Sequence, residues 1–203
     1  MHKRIFIWSI VFIFSALHYT AGATTLTVSL DGASSFTVIQ SAIDAAVDGD
    51  TVVVTSGTYL ENLQFNGKNI TLQSSDPTSL AIVQSTIIDG NITSSVITFS
   101  GAEGTTCILT GLTITNGSDM DGGGINGNHC VATIRGNRIV ANFAYRYGGG
   151  LYACDGLIEG NLIAENEMTE YYMSDTGIVG AGLCDCDGVI RNNIVAVNSC
   201  RAT

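Results

Sequence analysis

The sequence repeats itself, and the repeat limits the fold more than any other feature. Ile134-Arg135-Gly136-Asn137 returns as Ile158-Glu159-Gly160-Asn161 and again as Ile190-Arg191-Asn192-Asn193. Asn142 returns as Asn166 and Asn198. Gly148-Gly149-Gly150-Leu151 returns as Gly180-Ala181-Gly182-Leu183, and occurs earlier as Gly122-Gly123-Gly124-Ile125. Cys130, Cys154 and Cys186 close successive units. The spacing is 26 residues from Ile108 to Ile134, 24 from Ile134 to Ile158 and 32 from Ile158 to Ile190. Periods of this size mark a solenoid, a propeller or an array. Propeller blades need about forty residues, and no leucine-rich consensus is present. A parallel β-helix of about 24 residues per coil remains.

Elementary packing supports that choice. Each coil would carry about three short strands joined by turns, and one coil cannot bury its own apolar residues. Stacked coils bury a continuous core. Equivalent residues then lie about 4.8 Å apart along the stack. Asn137, Asn161 and Asn193 are expected to form one ladder, and Asn142, Asn166 and Asn198 a second. Ile139, Ile163 and Val195 should form an aliphatic column. The glycine triplets mark a bend from which side chains are excluded.

The rest of the chain agrees. Apolar pieces of three to five residues, such as Thr51–Val54 and Ile70–Leu72, are bounded by Gly, Asn or Ser. Gly is abundant at 24 residues and Pro77 is the only proline. The one convincing helical pattern is Val38, Ile39, Ala42, Ile43, Ala46 and Val47, spaced i, i+3, i+4. Asp48-Gly49-Asp50 is expected to stop it, with Gly49 available for a left-handed cap.

Residues 1–23 read as a secretory signal peptide. Met1-His2-Lys3-Arg4 is basic, Ile5–Leu17 is an apolar run too short for a comfortable span, and Ala21-Gly22-Ala23 is a small-residue cleavage signal. Residues 24–203 form one domain, placed outside the cytoplasm as a secreted, extracellular or cell-surface protein with no membrane span in the mature chain. Removing Lys3 and Arg4 takes the net charge from −10 to −12. Phosphate binding needs clustered Lys and Arg, so nucleic acid is excluded as a natural partner. The template calls for another glycine triplet where the sequence stops at Thr203, so the β-helix is expected to be incomplete at its C-terminus.

Several residues stand out as candidate sites. Asp155 and Asp187 fall at equivalent positions with Asp185 beside them, and Asp119 and Asp121 are expected near the same side of an earlier coil. Stacked carboxylates repel unless a cation bridges them, and oxygen ligands suit calcium; a solvated acidic turn is the alternative. Arg135, Glu159 and Arg191 alternate in sign on successive coils, which gives either a surface ion-pair ladder or an Arg–Glu pair available to a ligand. The longest coil carries an insertion, assigned to Met168–Thr176, in which Tyr171 and Tyr172 would stack on sugar rings or fold back onto the coil. Cys107, Cys130, Cys154 and Cys186 recur at about one-coil intervals and form either a buried thiol stack or inter-coil disulfides. His129 is read as a turn residue with no partner to make it a base.

The stretches Phe36–Ala46, Gly49–Val54 and Gly57–Asn62, followed by the Gly-Gly-Gly and Asn-x-Ile-x-x-Asn repeats, resemble the pectin-lyase-like superfamily of right-handed parallel β-helix proteins, of the bacterial secreted or surface type. The resemblance covers residues 24–203. It implies an all-β, right-handed parallel β-helix with a short N-terminal capping α-helix. The enzymatic signatures of that superfamily are not met. Pectate lyases carry an Arg-x-Pro-x-x-Arg pattern, and Pro77 lies in no such context. The segments that mark pectin esterases and polygalacturonases are also missing. A fold does not set an activity. The expected role is therefore carbohydrate binding, adhesion or structure, toward polysaccharide or a cell-surface glycan. A polysaccharide lyase or hydrolase is the alternative.

Overall fold

The computed structural model describes residues 22–169 and 180–201. Of the expected leader, only Gly22 and Ala23 fall among them, and Tyr171, Tyr172 and Thr203 lie outside. The described chain is an all-β parallel solenoid, as the repeat requires. Every strand pairing is parallel, and the strands stack into sheets of seven, six, five and four. The largest, sheet A, runs from Thr25–Val28 through Thr51–Val54, Thr71–Ser74, Ile108–Thr110, Thr133–Arg135 and Leu157–Glu159 to Val189–Arg191. Sheet B, of six strands, ends in Thr113–Thr115, Arg138–Val140, Leu162–Ala164 and Ile194–Ala196. Sheet C contains Ile125–Cys130, Leu151–Cys154 and Leu183–Cys184. Sheet D contains Ser118–Asp121, Phe143–Tyr147, Glu167–Thr169 and Ser199–Arg201. This fourth sheet corrects the expectation of three strands per coil.

In sheets A and B the stacking follows the sequence register with one slip. Ile134 pairs with Ile158 and Ile158 with Ile190, but the partner above Ile134 is Leu109, not Ile108. Ile139, Ile163 and Val195 pair as expected. Leu151 sits between Ile125 and Leu183. The inward residues are almost fully covered: Leu72, Leu109, Ile134, Ile139, Ile158 and Ile163 expose nothing to solvent.

The two asparagine ladders do more than tolerate turns. Asn161 Oδ1 accepts from the backbone N–H of Asn137 at 2.9 Å and from its Nδ2 at 3.2 Å, while Asn161 Nδ2 donates to Ile134 O at 2.9 Å. Asn193 repeats this beneath Asn161. In the second ladder Asn166 Oδ1 accepts from Asn142 N at 3.1 Å and from its Nδ2 at 3.0 Å, and Asn166 Nδ2 donates to Ile139 O at 2.9 Å. Each side chain thus satisfies turn groups that the interior hides from water, where an unmet donor is costly. The glycines complete the bend. A Cβ on Gly150 would lie 2.4 Å from Gly182 O, and one on Gly124 would lie 2.6 Å from Gly150 O.

Helix α1 spans Ile39–Ala45 and buries Ile39, Ala42 and Ile43 at the N-terminal end. It is shorter than the periodicity suggests, because Ala46 turns extended and the chain then enters the Asp48–Asp50 turn. Gly49 has φ +92°, but it lies beyond the helix end. The N-cap, Val38, supplies no side-chain bond. The next coil does so instead: the Glu61 carboxylate accepts from Ile39 N at 2.8 Å and Gln40 N at 2.9 Å. Lys68 Nζ donates to Ile43 O at 2.8 Å and Asp44 O at 2.6 Å. A carboxylate at the start and an ammonium at the end both complement the peptide dipoles. A second helix, α2 at Leu80–Ser85, was not expected from the sequence. It lies outside the solenoid and is held to sheet B by the Thr113 hydroxyl, which donates to Val83 O at 2.8 Å.

Cys107, Cys130, Cys154, Cys184 and Cys186 form no disulfides and are thiols in this structure. Cys130 pairs in register with Cys154. Cys107 does not share that register: Thr133 pairs with Ile108, which places Cys107 beside Ala132. Burial pushes the thiols of Cys107 and Cys130 up, to about 12 and about 11. Cys154 is also pushed well up, by its contact with the Cys186 thiol and by burial.

Candidate functional site

The ladders are regular except on one flank, and there the side chains that could do chemistry gather. Among the described residues, both register breaks in the strand pairings occur in sheets C and D. In sheet D, Asp119 pairs with Ala144 but Asp121 with Tyr147, so the strand Phe143–Tyr147 carries one extra residue. In sheet C, Asn126 pairs with Tyr152 but Cys130 with Cys154, so Ile125–Cys130 carries two extra. A bulge re-aims the side chains beside it.

The sheet D bulge turns Arg146 onto Asp121. Nε donates to Oδ1 at 2.9 Å, and an Nη atom bonds Oδ2. That hydrogen bond raises the guanidinium further above its ordinary value and keeps the charge fixed. The guanidinium carbon lies 5.2 Å from the centre of the Tyr147 ring. A glycine turn follows, and Tyr152 is the second residue of the next strand, Leu151–Cys154, its ring stacked on Tyr147 with centroids 5.8 Å apart and planes at 15°. Tyr147, Tyr152, Cys184 and Asp185 line a cleft of about 310 Å³. Burial, then the charges of Asp121 and Asp185, raise the Tyr152 phenol, so it stays protonated and able to donate a hydrogen bond.

The sheet C bulge carries two consecutive residues with positive φ, Asn128 at +46° and His129 at +62°. Such backbone is uncommon outside glycine. It projects His129 over the following coils. His129 Nδ1 lies 2.9 Å from Asp155 Oδ2, and Nε2 lies 3.9 Å from Asp185 Oδ2. The hydrogen bond to Asp155, and then its charge, raise the imidazole above its ordinary value of 6.5. The reading of His129 as a turn residue without a partner is therefore corrected in both halves, since it lies on the bulged strand Ile125–Cys130 and pairs with Asp155. The sequence hid the pair because a two-residue bulge breaks the period that aligned everything else.

The other candidates fall in different places. Asp155 Oδ1 accepts from Asp187 N at 3.1 Å, so Asp155, Asp185 and Asp187 do share one turn region. Among the described residues no three His, Cys, Asp or Glu side chains are arranged to hold a metal ion. Asp119 and Asp121 do not belong to that turn, because they lie on sheet D. Asp121 is taken by Arg146. Asp119 accepts from Ser94 Oγ at 2.8 Å, Ser95 N at 3.0 Å and Met120 N at 2.7 Å. Burial pushes its carboxyl up, but those bonds outweigh burial and hold it below the ordinary value.

Arg135, Glu159 and Arg191 align on sheet A. Arg191 Nε pairs with Glu159 Oε1 at 2.9 Å on an exposed surface. The Arg191 hydrogen bond lowers the Glu159 carboxyl, with Arg135 adding a weaker attraction. They are separate from the Tyr147–Tyr152 cleft. Met168 and Thr169 are not part of the insertion, since Met168 pairs with Ala144 and Cys200 within sheet D.

The fold and this flank define the class: a parallel β-helix with an aromatic and charged cleft at its two register breaks. No family model, curated protein or solved structure matches the chain. Among the described residues no helix is long and apolar enough to cross a membrane.

Proposed function

We propose that the Tyr147–Tyr152 flank binds carbohydrate, and that the protein is a secreted or cell-surface β-helix of the pectin-lyase-like type with an adhesive or structural role. The observation that carries this reading is the cleft itself. Two stacked tyrosines offer apolar surface with polar tips, and Arg146, Asp121 and Asp185 surround them with donors and acceptors fixed in place. Sugar rings present both kinds of surface, so a few convergent polar groups around aromatic rings suit them. The test is retention of pectin, alginate and glycosaminoglycans on the immobilised protein. Retention that Tyr152→Ala abolishes supports the reading, and no retention of any of them overturns it.

A second reading, a polysaccharide-degrading enzyme, is favoured by one arrangement. His129 is oriented by Asp155, and Asp185 belongs to both this group and the cleft. A histidine held by a carboxylate can serve as a general acid or base. The same polysaccharides assayed for cleavage decide the matter: bond breakage lost in His129→Gln selects the enzyme. Calcium at Asp155, Asp185 and Asp187 belongs to either reading only if EDTA reduces retention or cleavage.

A further inference from the structure

The flank formed by sheet B and helix α2 holds a second cleft of about 350 Å³. Its floor is a column of three side chains on paired strands, Arg138, Leu162 and Ile194. Its wall is α2, through Leu80, Val83 and Gln84. Thr113, the sheet B neighbour of Arg138 on the side away from Leu162, holds α2 in place. The volume lies at the lower end of small-molecule sites, which run from roughly 300 to 1,000 Å³.

Arg138 is the unusual member. Its Nε is buried and has no acceptor among the described residues. The guanidinium forms none of the ion pairs that engage Arg146, Arg191 and Arg201. Among the described residues no Asp or Glu lines the cleft, in a chain with 18 acidic residues against 8 Lys and Arg. A guanidinium offers a planar fork that fits a carboxylate through two parallel bonds. The rest of the lining is largely aliphatic. Of the carboxylates adjoining lining residues in sequence, Asp76 accepts from Thr78 N at 3.0 Å and Thr78 Oγ1 at 2.7 Å, and Glu159 pairs with Arg191 Nε at 2.9 Å.

We infer that this cleft binds a monocarboxylic acid with an apolar body, its carboxylate on Arg138 and its body between α2 and the Leu162–Ile194 floor. The site is independent of the proposed glycan surface, which lies on sheets C and D.

Titration calorimetry of the whole protein with octanoate tests it, with octanamide as the uncharged counterpart and glucuronate as the polar one. Octanoate should bind saturably at one site. Octanamide should bind at least about tenfold more weakly, as should octanoate to Arg138→Gln, because a charge-assisted bidentate pair is lost. Leu80→Glu, which adds a negative charge at the wall, should weaken octanoate similarly. Leu80 is 64% exposed, so this variant keeps the fold, and an unchanged unfolding temperature confirms that. The inference is overturned if octanoate shows no saturable binding at millimolar concentration, or if Arg138→Gln binds it unchanged. It is also overturned if octanamide or glucuronate binds as well as octanoate.

Discussion

The interior turns of sheets A and B and the flank of sheets C and D are made by the same coils, yet they obey different rules. In the interior, Asn137, Asn161 and Asn193 keep one position through three coils and bond one another. On the flank, residues in the equivalent coils do not match: Asn126 stands over Tyr152, and Tyr152 over Cys184. The interior is fixed because every buried donor must find an acceptor in the adjacent coil, and one residue serves all levels equally well. The flank faces solvent, so an extra residue there costs one or two ladder bonds and can be exploited to aim a side chain. Stability should therefore lie in the regular column and ligand recognition at its departures.

The sharpest way to break this comparison is to remove an interior rung. In Asn166→Ala, Asn142 N loses its acceptor and Ile139 O loses a donor within the buried core, while Asn142 Nδ2 gives up one bond and keeps Ile114 O and Val140 O. An unsatisfied buried group costs about 1–3 kcal/mol, so the loss should reach roughly 2–4 kcal/mol. For a chain of this size that is on the order of 5–12 °C in melting temperature, read by circular dichroism. Asn198→Ala, at a half-buried rung, should cost clearly less. Equal losses for the two would show that the ladder does not carry the stability assigned to it.

Next in size is the glycine bend. In Gly150→Ala the new methyl would meet Gly182 O at 2.4 Å and Asn166 Nδ2 at 3.0 Å. Neither neighbour can withdraw, since one is backbone and the other a ladder rung. Overpacking of this kind costs about 1–3 kcal/mol. Gly160→Ala meets nothing within 4 Å, but φ +65° leaves backbone strain alone. A larger loss at position 160 than at 150, by urea denaturation, would refute the packing account.

On the flank the order of effects should invert. Tyr147→Ala or Tyr152→Ala removes half of a stacked pair beside the cleft without touching an interior rung. Melting should move little, while retention of a bound polysaccharide falls about tenfold, since an aromatic contact of this kind is worth about 1 kcal/mol or slightly more beyond its buried area. A large stability loss with retention preserved would make these tyrosines structural.

The same contrast governs what could be read in the sequence. Asn142, Asn166, Ile139 and Ile163 were legible because stacking forces identical residues into identical positions. Sheet D was not, because Ser118–Asp121 and Phe143–Tyr147 lack the alternation of a half-buried strand. Helix α2 is six residues long, too short for a helical period to declare itself. Arg135 and Arg191 drew notice because Glu159 lies between them. Arg138 did not, because its strand partners are Thr113 and Leu162. The His129–Asp155 pair was hidden by the bulge that creates it.

The smallest expected effect comes from that pair. Its hydrogen bond raises His129 above the ordinary value of 6.5. The contribution of a group whose folded value is raised is complete below its unfolded value and is lost as pH rises through the folded one. Asp119 and Glu159 are lowered, so their contributions fade only as pH falls into the carboxylate range. Between about pH 5.5 and 8.5 the histidine acts without them. The difference in melting temperature between the wild type and His129→Gln should then be greatest at the acid end of that window and shrink toward the alkaline end. Because the ring is 60% exposed, added salt should reduce the difference at every pH. A difference that grows with pH would mean that His129 is held neutral, and that Asp155 accepts from the imidazole N–H without gaining a charge opposite it.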